Sequence, residues 1–266
     1  MPRLNNLLVN QSTDRANELN LSFNVWIFSP VLFKASMVVY NLEAGETFVR
    51  NTYSWFDMEA YTDEISEWQR SRFTRYLQSR VDTRPSYDDI RLTPGHLFVA
   101  REENLHIPRH ITNEVFVIST TAKTVVESWS VEINGVTGME WVGSVSMMIS
   151  GQVGTYFIAT DQDSTEPVAL YFDVVSAQRR SMVLTTQFET FGRETTSGDT
   201  VLLSILFLDS EGHPYMSNFD VSDQMENNPE HRIVLNVDIN IPKPEIGGGF
   251  MPEVDDWKEF EYDIDI

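Results

Sequence analysis

The residues of this chain that could do chemistry are scattered, and few of them are spaced for it. His106 and His110 stand at i and i+4, the spacing that sets two imidazoles on one helical face for a metal. Pro108 lies between them and opposes a helix, and no Glu follows the first His in the metalloprotease manner, so two ordinary loop histidines are the expectation. Asp161, Asp163 and Glu166 in DQDSTE offer closely spaced oxygen ligands, but the stretch lacks the glycine and closing bidentate acid of the helix-loop-helix calcium pattern. A solvated turn is the expectation there, and the pair Asp88 and Asp89 is weaker still. No Gly-x-Ser-x-Gly elbow and no phosphate-cradling glycine loop is present. Neither a catalytic residue, a cofactor nor a metal is assigned, and the chain is read as non-enzymatic.

Acids cannot serve as markers here because they are everywhere. With 19 Lys and Arg against 40 Asp and Glu the 266 residues carry a formal charge of -21, a field that repels nucleic acid and anionic membrane surfaces. One basic island interrupts it: Arg70, Arg72, Arg75 and Arg80, with Arg84 just beyond. It reads either as a solvated helix face paired to acids elsewhere or as a patch that docks an acidic partner. The absence of cysteine removes disulfides, thiolate metal sites, thiol catalysis and a thioether lipid anchor. Residues 1–23 contain no apolar run of signal length, and the stretch from Val25 to Tyr40 is too broken by Ser29, Pro30, Lys34 and Ser36 to span a bilayer.

The elements that must carry these residues change character along the chain. VVYNLEAGETFV reads as two short strands around a Glu-Ala-Gly-Glu turn. Glu64, Ile65, Trp68, Arg72, Phe73, Tyr76 and Leu77 recur at three and four, which predicts an amphipathic helix near 63–80, of about 15 residues, capped by Thr62 or Asp63. Beyond a junction placed near 108–113 the text is all strand. TVVESWSVEI puts Trp129, Val131 and Ile133 on one face, and EWVGSVSMMI does the same with Trp141, Val145, Met147 and Ile149, which makes both tryptophans core residues rather than sugar platforms. Further strands are predicted at 155–159, 168–174, 181–187, 201–208, 215–221 and 232–239. Asn134-Gly135, Ser150-Gly151, Ser197-Gly198-Asp199 and Glu211-Gly212 serve as turns between them. VLLSILFL is apolar on both sides and should be a central, doubly covered strand. The fold class is therefore mainly β, with residues 1–110 forming one domain and 111–266 an antiparallel sandwich.

The last residues hold seven acids against one lysine after the triplet Gly247, Gly248 and Gly249. Phe260, Tyr262, Ile264 and Ile266 alternate strictly with Glu259, Glu261, Asp263 and Asp265. That register suits a strand with one buried and one wet face, and a solvating tail has no reason to keep it.

The stretch from Phe219 to the end, with FDVSDQ, Asn228-Pro229, Pro242-Lys243-Pro244, the glycine triplet and VDDW before the alternating end, resembles the close of a family of Bacteroidales cell-envelope lipoproteins. That family is allied to fimbrillin and fimbrial-anchor (FimB-like, type V pilus) proteins. VVYNLEAGETFVRN resembles its first-domain hairpin. The resemblance implies two transthyretin-like, Greek-key β-sandwich domains, a place at the outer membrane or cell surface, and fimbrial or other envelope proteins as partners. It implies no catalytic residue. The chain lacks the family's lipidated cysteine, and residues 1–34 do not match its first strands, so a truncated start is the expectation. In pilin relatives an extended strand of one subunit fills a groove in the next. Residues 257–266, with Trp257, Phe260, Tyr262, Ile264 and Ile266 as contact side chains and Gly247 to Gly249 as hinge, have the pattern for such strand addition or for an edge strand of their own sheet. A carbohydrate-binding surface module is the alternative, to be judged by whether aromatic rings line up towards solvent.

Overall fold

A computed structural model describes residues 23–31, 34–41, 44–77, 89–106, 118–174, 183–194, 200–226 and 228–244. In chain order these form strands β1 (Phe23–Val31), β2 (Lys34–Asn41), β3 (Thr47–Arg50) and β4 (Glu59–Thr62), helix α1 (Glu67–Leu77), then β5 (Ile90–Leu92), β6 (Phe98–His106) and β7 (Lys123–Thr124). There follow β8 (Glu127–Thr137), β9 (Val142–Val153), β10 (Thr155–Phe157), β11 (Gln162–Asp163), β12 (Pro167–Asp173) and β13 (Val183–Thr190). The described chain closes with β14 (Leu202–Asp209), β15 (Pro214–Asp220), the short helix α2 (Ser222–Met225) and β16 (Arg232–Asn240).

Four sheets result: A, in the order β1-β2-β6-β7; B, β11-β10-β4-β3; C, β15-β14-β9-β12-β5; and D, β13-β8-β16. Sheets C and D face each other across the main core. From C come Val145, Met147 and Ile149 of β9, Val168, Leu170 and Phe172 of β12, and Leu203, Ile205 and Phe207 of β14; from D come Trp129, Val131, Ile133, Leu184, Phe188, Ile233 and Leu235. The alternation seen in TVVESWSVEI and in Val145, Met147 and Ile149 is thus the alternation of this core. Sheets A and B share a second core, built on Val38, Tyr40, Leu97, Val99, Met58, Ala60, Tyr156 and Ile158.

The remaining face of sheet C is not left to water. Helix α1 lies on it, and Phe73, fully buried, packs with Ile65, Ile90, Met148, Ala169, Tyr171 and Leu206. β14 is therefore covered on both sides, as its two apolar faces require. Ser66 starts the helix: its hydroxyl accepts from Gln69 N–H at 3.3 Å while its own N–H donates to Gln69 Oε1 at 2.9 Å, a reciprocal capping box. The cap is Ser66 rather than Thr62 or Asp63, since Thr62 is spent in β4, and the described helix runs for 11 residues. Although encoded early in the chain, α1 rests on strands from its second half.

Several other expectations are corrected. β2 and β3 exist, but β2 pairs with β1 and β6 while β3 pairs with β4, so they form an arch between sheets A and B and not a hairpin. Asn134-Gly135 and Ser150-Gly151 are not turns. Gly135 has φ +91° inside β8 where Val237 and Asp238 of β16 face it, and a Cβ there would stand 1.8 Å from the Val237 carbonyl oxygen. Gly151, at φ +68°, makes the bulge by which β9 skips a residue against β12. Glu211-Gly212 does turn β14 into β15, and residues 195–199 lie outside the described residues. The second sandwich is mixed rather than antiparallel, because β16 runs parallel to β8 and β5 parallel to β12.

The junction placed near 108–113 falls outside the described residues, and pairing crosses it in both directions. β5 joins sheet C beside β12, and β10 joins sheet B beside β4. The passage from β9 to β10 through Gly154 carries the chain from sheet C to sheet B. No helix among the described residues is long and apolar enough to cross a membrane.

Candidate interaction surfaces

The outer side of α1 is the first surface. Trp68, placed by periodicity on the buried stripe, is 66% exposed, because the helix is pinned by Ile65 and Phe73 and turns position 68 away from them. The Arg72 guanidinium lies 4.7 Å from the centre of the Trp68 ring, and Nη2 reaches Ser144 Oγ at 3.2 Å. Its Nε is buried without a hydrogen-bond partner. Arg70 pairs with Glu64 at 3.2 Å. Arg75 lies in the helix three residues after Arg72, and Arg80 lies outside the described residues. The structure therefore brings Arg70 and Arg72 onto one helix with an open tryptophan, a combination that the basic spacing showed and the apolar spacing disguised.

Sequence reasoning missed the second surface, the connection from β3 to β4. Tyr53 and Phe56 are each 74% exposed, while Trp55 between them packs on the core of sheets A and B. Ser54 Oγ donates to Asp57 Oδ2 at 2.6 Å and Ser54 N–H to Asn51 O at 3.1 Å, which holds the loop. The outward face of sheet B continues it: Phe48 lies 5.9 Å from Tyr61, and Arg50 sits over the Tyr61 ring at 4.7 Å while bonding Glu59. Three aromatics in the four residues from Tyr53 to Phe56, outside any apolar periodicity, were the readable signal.

A shallow, open groove of about 590 Å³ runs between Val126, Glu127, Tyr156, Asp161, Phe191 and His231. Arg101 pairs with Asp161 at 3.2 Å, and the Tyr156 hydroxyl bonds to both. Burial, then the bond to Asp161, raises the Tyr156 pKa, so this phenol stays protonated. Burial, followed by the charges of Glu127 and Asp161, also holds the Asp163 carboxyl above its ordinary range. His231 stacks on Trp129 at 4.7 Å, and Trp129 Nε1 donates to Glu127 at 3.0 Å. No nucleophile is set against a base here. Among the described residues no group of three or more His, Asp or Glu is placed to hold a metal, and Asp161 serves Arg101 and Tyr156.

Of the other candidates, Trp129 is core, 4% exposed, whereas Trp141 ends a 3-10 turn ahead of β9 and carries Lys243 Nζ 5.3 Å from its ring centre. Its inward assignment fails because the turn breaks the period of two just before the strand begins. His106 ends β6, and His110 lies outside the described residues. Gly247, Gly248, Gly249, Trp257, Phe260, Tyr262, Ile264 and Ile266 lie outside them too.

By architecture this is a mainly β protein of facing sheets, and the charged and aromatic side chains singled out above among the described residues lie on three separate surfaces. Residues 34–173, a little over half of the chain, match the family described as "Domain of unknown function (DUF5119)", and the chain belongs to that family. It is 23% identical over 255 residues to the "Putative fimbrium anchoring subunit Fim4B" of Bacteroides ovatus, covering 84% of this chain and 72% of that protein. A crystal structure of a "putative adhesin" from Bacteroides ovatus shares the fold, with a TM-score of 0.57 and 19% identity over 80% of this chain and 76% of the other. The fimbrial anchor protein Mfa2 from Porphyromonas gingivalis aligns more loosely, with a TM-score of 0.35 and 11% identity over 76% and 68% of the two chains.

Proposed function

We propose that this chain is a fimbrial component of the cell envelope, anchor-like, working through contacts with other fimbrial proteins and not through catalysis. The likeness to the fimbrium anchoring subunit along most of both chains carries this reading. In it, residues 257–266 add as a strand to a sheet of a neighbouring subunit, main-chain hydrogen bonds giving affinity and Trp257, Phe260, Tyr262, Ile264 and Ile266 filling pockets, with Gly247 to Gly249 as the hinge. Among the described residues no further strand pairs with the outer edges of β15 in sheet C and β13 in sheet D, where such a strand could add, whereas Gln224 already holds the Val234 N–H and carbonyl on the outer edge of β16. The test is to delete residues 257–266 and follow thermal stability together with self-association by sedimentation. Loss of association from a chain that still melts cooperatively supports strand addition; a shortened chain that no longer folds makes the segment part of its own domain and ends the reading.

A glycan-binding surface is the second reading, favoured by the solvent-facing rings of Tyr53, Phe56 and Phe48 beside the Arg50–Glu59 pair. Titration of neutral oligosaccharides against the wild type and a Tyr53→Ala/Phe56→Ala variant decides it: binding that the variant loses supports a sugar site, and no binding by the wild type removes it.

A further inference from the structure

The outer side of α1 presents cations on a strongly acidic molecule. Trp68 and Arg72 stand at i and i+4, one stripe of the helix. The Arg72 guanidinium holds a neutral oxygen, Ser144 Oγ, and a guanidinium pairs with a carboxylate more strongly than with a neutral oxygen. The open face of Trp68 adds an apolar anchor beside it.

The described chain ends close to this stripe. After β16, Ile241 N–H donates to Thr137 O at 3.0 Å, and Lys243 lies over Trp141. Trp141 is three residues from Ser144, the residue that Arg72 touches, a separation of about 10 Å at most along an extended chain. Residues 245–266 follow, with a reach of roughly 70 Å when extended. They include the seven acids of 253–266 and the rings of Trp257, Phe260 and Tyr262. A segment of opposite charge with aromatic side chains is thus tethered within reach of this surface.

We propose that residues 253–266 dock in cis on the outer side of α1, their carboxylates pairing with Arg72 and an aromatic ring lying against Trp68. The tether sets an effective concentration in the millimolar range, so weak, screened ion pairs suffice to hold the segment. Resting on the strand-addition reading, the consequence is a parked donor: α1 holds the segment until an acceptor sheet competes for it.

Hydrogen exchange of residues 67–77 tests the contact. Deleting 253–266 from the full chain should speed exchange there about tenfold, and a synthetic 253–266 peptide added in trans should restore protection that 0.5 M salt abolishes. The Arg72→Glu variant should expose the segment to limited proteolysis in an otherwise folded chain, and adding Glu259→Lys/Glu261→Lys should protect it again. Unchanged exchange on deletion overturns the proposal, as does protection that rises with protein concentration, which assigns the occupant to a second copy. The peptide arm works on the deleted chain even if the charge-reversed variant does not fold. Self-association is measured separately, so failure of the parked contact and failure of strand addition are told apart.

Discussion

The two faces of sheet C are both dry, but they are kept dry by different means. The inner face meets another sheet, strand against strand, so Leu203, Ile205 and Phe207 are held by β8, β13 and β16 and by the pairing that fixes those strands in turn. The outer face meets one 11-residue helix through Ile65 and Phe73, with Tyr171 edge-on to Phe73 at 5.7 Å. An isolated helix of this length is marginal in water, so α1 persists because it is packed. A sheet-on-sheet core is cooperative, whereas a single helix laid on a sheet can come away without the rest. That difference locates rigidity on one side of sheet C and the capacity for exchangeable contacts on the other.

The comparison breaks most visibly at its strong side. Phe207→Ala empties a fully buried site between sheets C and D and is expected to cost about 4 kcal/mol, lowering the global denaturant midpoint without changing the slope. Phe73→Ala, also fully buried, should cost about 3 kcal/mol and act differently. Hydrogen exchange should rise first in residues 67–77, with β9, β12 and β14 protected until global unfolding. If both variants open the whole molecule together, the two faces are one cooperative unit and the contrast fails. Tyr171 reports on the outer face as well. Its hydroxyl donates to Asp173 at 2.6 Å, and burial, then that bond, pushes its pKa up to about 12, so early phenolate absorbance in Phe73→Ala would show the cover lifting.

The inner face was also the legible one. A strand with one buried side writes its burial into the chain as a period of two, and Trp129, Val131, Ile133, Val145, Met147 and Ile149 all keep it. VLLSILFL announced a doubly covered strand because no polar side remained to face water. What covers its outer face was not readable, because the contact of Phe73 with Tyr171 joins positions about a hundred residues apart. Asn134-Gly135 and Ser150-Gly151 misled for a related reason: a left-handed glycine serves a turn and a bulge equally, and only the neighbouring strand decides. The exposed stripe of α1 was half legible, since Arg70 and Arg72 stood out by charge while Trp68 was hidden by a periodicity that Phe73 and Ile65 actually satisfy. Tyr53 and Phe56 were passed over because a loop has no period to search.

At the edge of sheet C the Asp209 carboxylate, fully buried, closes the β14–β15 turn by accepting Glu211 N–H and His213 N–H at 2.8 Å each and His213 Nδ1 at 2.9 Å. Burial works against its charge, but the His213 and Glu211 donors win, and its pKa falls below the ordinary carboxylate value. A lowered folded pKa means that the bonds stabilise fully above that ordinary value and fade as pH drops through the lowered one. Asp209→Ala should cost about 2 kcal/mol at neutral pH by stranding those donors. The gap between variant and wild type should close in acid, as chemical denaturation at pH 7 and at pH 3 would show. A gap that widened in acid would mean that the turn, and with it this edge of the sheet, is held by something else.

The smallest effect lies in the box that starts α1. Ser66→Ala removes the acceptor for Gln69 N–H and loosens the return bond from Ser66 N–H, with an expected cost of about 1 kcal/mol. Because the box is exposed and touches no sheet residue, the loss should appear as fraying of residues 67–70 in hydrogen exchange, with little change in the global midpoint. Ser66→Asp keeps an oxygen at the cap and adds a charge that the helix dipole favours, so it should return the protection. Equal fraying in both variants would show that packing at Ile65, not the cap, fixes where the helix begins. The outer cover would then be tied to sheet C more firmly than an end-frayed helix on a rigid sheet requires.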